Sequence, residues 1–170
     1  MTTTDQTGTK DVTFFQKSAT GGKRPKTAFF DRTEMPEILV EGIKDMIEVP
    51  DVIAEGVDVE EYFRGKVRVQ PLYMDPENNG FSLGSYSFEP GFVMPRHHHD
   101  SDQIVMILEG EMRQGNKVLK PGAGFFTPAG GAYGFTVGPA GCRIIEFRDV
   151  SNFATVYVED DPERWQTAAP

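Results

Sequence analysis

The chain reads as all-β. From residue 66 onward, stretches such as Lys66-Val-Arg-Val-Gln70 and Phe81–Phe88 alternate polar and apolar residues at period two, the mark of a half-buried strand. Turn clusters separate these stretches, in keeping with 18 glycines and 12 prolines among 170 residues. No helical pattern alternates with the strands. About nine short strands at this spacing predict a barrel or sandwich, closed against edge pairing.

Taken in order, residues 1–65 predict an N-terminal extension. Residues 1–12 are Thr-rich and polar, with little to bury. The pairs Phe14-Phe15 and Phe29-Phe30 call for an apolar surface, on the domain or on a neighbouring subunit. Thr33 as cap, Glu37 in the first turn, and Ile38, Leu39, Ile43, Met46 and Ile47 at roughly helical spacing predict a helix over residues 33–48. Residues 50–63 are acidic and undecided between states. The barrel is expected over residues 66–160, with a polar tail, Trp165 apart, over 161–170.

Within the barrel, Pro76–Gly80 is a turn and Ile104–Leu108 an uninterrupted apolar run, which predicts a strand buried on both faces. A hairpin should turn at Gly115-Asn116. Phe125-Phe126 predicts a short strand, and Tyr133–Val137, Cys142–Arg148 and Phe153–Glu159 the last ones.

The net charge of −9 argues against nucleic acid and against an anionic membrane surface, both of which need a basic patch. One cysteine, Cys142, cannot form an internal disulfide, which suits a reducing compartment. No basic n-region leads an apolar segment at the amino end, and no run reaches the length of a membrane span. A cytoplasmic location is expected.

All three histidines lie together at 97–99. In a strand, His97 and His99 point to one face and His98 to the other, so two imidazoles can meet one ion or, alternatively, form a polar rim. The same alternation turns Arg96 away. Asp100 and Asp102 flank the turn and either support a histidine or stay solvated. Glu109 and Glu111 should be exposed. Cys142 shares a face with Ile144 and Glu146 and is read as a small core residue.

Gly91, His97, His99, Gln103 and Gly110 resemble the first motif of the cupins, with every spacing met and Gln103 at the usual glutamate position. Gly122, Pro128 and Gly130 match the second motif, with Tyr133 at its histidine and Val137 at its asparagine. The resemblance implies a cupin-type double-stranded β-helix, a jelly-roll barrel of the RmlC-like kind. It also implies a divalent metal, Fe(II) first and Zn, Ni, Mn or Cu as alternatives, held by His97, His99, Gln103 and Tyr133. Gln103 could bind more weakly than a carboxylate or only hydrogen-bond. Tyr133 could be a ligand, a catalytic acid/base or substrate contact, or a packing residue. Tyr86 and Phe126 are expected to touch substrate.

The implied partner is a small organic molecule, anionic or enolisable, because a metal without a negative ligand keeps more of its charge. Three functions follow: a dioxygenase cleaving a C–C bond of an enolisable or phenolic compound, a non-catalytic ligand-binding cupin, and a metal-assisted isomerase or lyase. The resemblance also implies a homodimer, paired through the barrel's outer sheet.

Overall fold

The computed structural model describes residues 27–40 and 47–166. Its elements are β1 (Ile38–Leu39), α1 (Asp51–Gly56), α2 (Val59–Phe63), β2 (Val67–Met74), β3 (Ser82–Phe88), β4 (Val93–His99), β5 (Gln103–Gln114), β6 (Lys117–Leu119), β7 (Gly124–Thr127), β8 (Tyr133–Arg148) and β9 (Thr155–Tyr157). Short 3-10 turns lie at Pro76–Asn78 and Pro162–Trp165. Among the described residues the named strands pair antiparallel, in one sheet ordered β1-β2-β3-β8-β4-β9 with β5 joining β8 to β6 and β7, and one isolated bridge, Glu48 to Val156, is parallel. The all-β jelly roll is borne out.

The long strands β5 and β8 curl this sheet into a barrel. Residues 133–148 form one strand where two were expected, because the Gly138–Gly141 stretch bends without breaking the ladder. The first half of β8 pairs with β4 and the second with β3, while β5 follows it round. Where they cross, a Cβ on Gly110 would stand 2.0 Å from the Gly141 carbonyl oxygen, and Gly110 has φ +70°. Only glycine permits that approach. The predicted hairpin forms, with Gln114 opposite Lys117 across Gly115-Asn116.

The expected helix at 33–48 does not form in its described part. Residues 32–34 make a turn, Ile38–Leu39 add a strand to the β2 edge, and 41–46 lie outside the described residues. Pro36 removes a helix donor, and the β2 edge offers ladder bonds instead. The buried amide of Gln70 fastens this segment by donating to the carbonyls of Arg32 (3.1 Å) and Met35 (2.7 Å). Phe14-Phe15 lies outside the described residues. Phe29 is 94% exposed and Phe30 49%, so neither docks on its own barrel.

One end of the barrel is sealed by aromatics. Tyr62 and Phe63 of α2 pack with Phe92, Tyr157 and Trp165 at ring separations between 5.1 and 6.3 Å. Asp58 caps α2 by accepting from the Glu61 amide, which aims these rings inward. Full burial of one such ring stabilises by about 2–3 kcal/mol. The core therefore runs through residue 66 without a break. No described helix is long and apolar enough to cross a membrane.

Ile104–Leu108 is not buried on both faces. Val105 and Ile107 point in at 1% and 0% exposure, while Ile104 and Met106 face out at 53% and 43%. The run looked two-sided only because both of its faces are apolar.

Candidate functional site

Beyond the aromatic seal the barrel holds a half-open cavity of about 430 Å³ with a mostly apolar wall. Strand alternation places its polar groups. On β4, His97 and His99 point inward and are buried, Arg96 points out, and His98 takes the other face. On β8, Ile144, Glu146 and Arg148 follow Cys142 along the inward face, and the last three of these line the cavity together with Tyr133, His97 and His99. Gln103, at 1% exposure, faces in from β5 opposite Arg148 in register, but it lies behind the cavity wall.

Both imidazoles have one nitrogen committed to backbone. His97 Nδ1 lies 2.9 Å from the Pro95 carbonyl oxygen and His99 Nδ1 3.0 Å from that of Ala154. A carbonyl only accepts, so each Nδ1 carries the proton and each Nε2 a lone pair. The aspartates support this frame at one remove. Asp100 accepts from the Ala154 amide, holding the strand that receives His99, and Asp102 accepts from the Ala129 amide.

The lone pair on His99 Nε2 is taken. Arg148 Nη2 donates to it at 3.1 Å, while Nη1 forms an ion pair with Glu146. The guanidinium lies 3.9 Å from the centre of the Phe153 ring, and its Nη1 reaches the Tyr86 hydroxyl at 3.4 Å. A buried charge needs such company, and here a carboxylate, an imidazole, a phenol and a ring face supply it.

Burial pushes the His97 imidazole down to about 4 and that of His99 to about 2, with the Arg148 charge acting in the same direction. Burial pushes the Glu146 carboxyl up, against the pull of Arg148. Burial is the largest influence on Arg148 and opposes its charge, but Glu146, Tyr86 and Tyr133 together outweigh it and the guanidinium stays protonated. Tyr133 is raised by burial and remains a neutral phenol, 4.5 Å from His97 between ring centres. The Gln103 amide is close enough to Tyr133 to pull the other way on that phenol, yet neither of its atoms meets a well-formed hydrogen bond.

The expected metal set does not fit this arrangement. His97 keeps a free Nε2, but that of His99 accepts from a cation. Gln103 does not line the cavity. Among the described residues no three His, Cys, Asp or Glu side chains are grouped to hold an ion. A doubly charged ion about 4 Å from a guanidinium meets a repulsion of about 8 kcal/mol at an effective dielectric of 20, before Glu146 offsets part of it.

Of the two expected substrate contacts, Tyr86 lines the cavity. Phe126 does not: it is 59% exposed on the outer face, and Phe125 holds the inner position. The pairing of Val105 with Phe125 across β5 and β7 fixes that phase. Glu146 and Arg148 were missed as site residues. The signal was present in the period-two run Cys142, Ile144, Glu146, Arg148.

No family model matches the sequence, and no curated protein is significantly similar to it. Solved structures do match. An RmlC-like cupin from Ralstonia eutropha is 16% identical, with 82% of this chain covering 84% of that one at a TM-score of 0.56. The polyketide cyclase RemF from Streptomyces resistomycificus is 21% identical, covering 80% and 89%, at 0.55. KdgF from a Halomonas species is 19% identical, covering 73% and 94%, at 0.52. The fold is that of the cupins. In this cupin-fold barrel the glycine and proline framework of both motifs is intact, and the departures, Gln103, Tyr133 and Val137, are all buried side chains of which Tyr133 lines the cavity.

Proposed function

We propose that this cupin binds a small organic molecule with an apolar body and one acidic oxygen, an enolate, phenolate or carboxylate, and that binding rather than turnover is the barrel's task. The half-open apolar cavity, with one charged cluster among the described residues of its wall, carries this reading. Such pockets bury most of a small ligand and use a few polar groups to orient it.

A metal-dependent dioxygenase or isomerase needs an ion with open positions, and the donor set does not fit one. Acid–base turnover fares little better. Imidazoles depressed to about 4 and about 2 are weak bases, Tyr133 holds its proton, and Cys142 does not line the cavity.

Thermal shift with a panel of aromatic carboxylates, phenols and diketones, against sugars of equal size, tests the reading. Stabilisation by the aromatic acids in chelator-treated protein is expected. Stabilisation by the sugars alone would contradict it.

We also infer that two copies pair through the outer sheet. Phe81, Ile104, Met106, Phe126 and Phe147 are all exposed there. Register places Ile104 opposite both Phe126 and Phe147, and Phe81 lies 5.2 Å from Phe147 between ring centres. Sedimentation at micromolar concentration should give twice the 18.9 kDa chain mass, and a monomer would contradict the pairing.

A further inference from the structure

The Arg148 guanidinium lies between two groups that would otherwise be donors to a cation, the Glu146 carboxylate and the His99 Nε2. Its side chain is buried and lines the cavity, and the Phe153 ring fixes its plane. Arginine cannot be deprotonated in a protein, so this cation is permanent. We propose that Arg148 is the cationic centre of this barrel in place of a metal ion, and that its guanidinium receives the acidic oxygen of the bound molecule with no metal cofactor.

The proposal rests on the ligand-binding reading above and adds to it what recognises the ligand. Three features of the wall agree with it. Among the described residues that line the cavity Arg148 is the one arginine or lysine, so no second such cation competes for the anion. His97 keeps its Nε2 lone pair and can accept from a protonated form of the same oxygen. The Gln103 amide, buried on the strand position opposite Arg148 without a good partner, leaves a polar reserve for a rearranged hydrogen-bond network once a ligand is bound.

Two measurements on untagged protein test the proposal. The first uses metal alone. After chelator dialysis, wild-type protein titrated with Zn²⁺ and Co²⁺ should take up less than about a tenth of an equivalent. Arg148→Met, which frees His99 Nε2 and the Glu146 carboxylate beside His97, should gain uptake. One equivalent bound by wild type and lost in His97→Gln would overturn the proposal.

The second measurement compares benzoate with its neutral isostere benzamide by calorimetry, with and without chelator. Benzoate should bind about tenfold or more tighter in both conditions. Arg148→Met should erase that preference while leaving benzamide within about threefold. If that variant does not fold, the double variant Glu146→Gln/Arg148→Met removes both charges together and reads the same difference. Benzamide binding as tightly as benzoate would overturn the proposal alone and leave the cavity reading standing. Failure of both probes to bind wild type would overturn the cavity reading and the proposal with it.

Discussion

Glu146, Phe147 and Arg148 are consecutive on β8, and they invert the usual division of a sheet. The two charged residues point into the barrel at about 5–6% exposure, while the aromatic between them faces outward at 37%. On the inner face the neighbours across the ladder are Gln103 and Ser82 beside Arg148, and Gly84 and Val105 beside Glu146. On the outer face Phe147 meets Ile104, Leu83 and the Phe81 ring. A strand that had only to fold would place these side chains the other way round. In the proposed function the buried charge on the inner face serves to hold a ligand, and the apolar area on the outer face is what a second copy would cover.

The largest expected effect is on the inner face. Arg148→Met leaves Glu146 buried without its partner and should destabilise the fold by about 3–5 kcal/mol in chemical denaturation. The double variant Glu146→Gln/Arg148→Met should recover most of that loss. If the single variant unfolds as wild type does, the pair is not buried as described.

Next is the pH response of the two histidines. Their folded pKa values lie below the ordinary 6.5, so the unfolded chain binds more protons between the two values. Stability should therefore fall as pH drops below 6.5. The His97 contribution is complete near pH 4 and amounts to about 3 kcal/mol. His97→Gln should flatten that part of the denaturation midpoint against pH. An unchanged slope would place the loss elsewhere.

Smaller effects separate the two faces at adjacent residues. Phe125→Ala should cost about 1–2 kcal/mol and enlarge the cavity, whereas Phe126→Ala should move monomer stability by no more than about 0.5 kcal/mol. Phe126→Ser with Phe147→Ser should shift the sedimenting mass from dimer to monomer at unchanged circular dichroism. If the Phe126 variant instead weakens ligand binding as much as the Phe125 variant, the assignment of faces is reversed.

The barrel was legible in the sequence because its framework is steric. Gly110 and Gly91 take conformations with φ near +70°, and the turns between strands recur at cupin spacing. Period two put His97 and His99 on one face, and the cupin-like glycine and proline framework around them turned that face inward. Phe125 and Phe126 could not be phased, since an aromatic pair reads the same on either face until β5 sets the register. Arg148 escaped notice for a different reason. A charged residue at the end of a strand reads as solvated, and the carboxylate two positions back reveals its burial only once both side chains are seen on the same cavity wall. In its described part the helix predicted over 33–48 failed where local spacing competed with an open sheet edge, and pairing of Ile38 and Leu39 with Val69 and Arg68 prevailed.

The most direct measurement is a crystal structure of untagged protein grown with Fe, Mn, Ni and Zn, with anomalous data collected at each metal edge. The account predicts no anomalous peak at the histidine pair and guanidinium density between His99 Nε2 and Glu146. A peak between His97 and His99, with Arg148 swung away from His99, would contradict it.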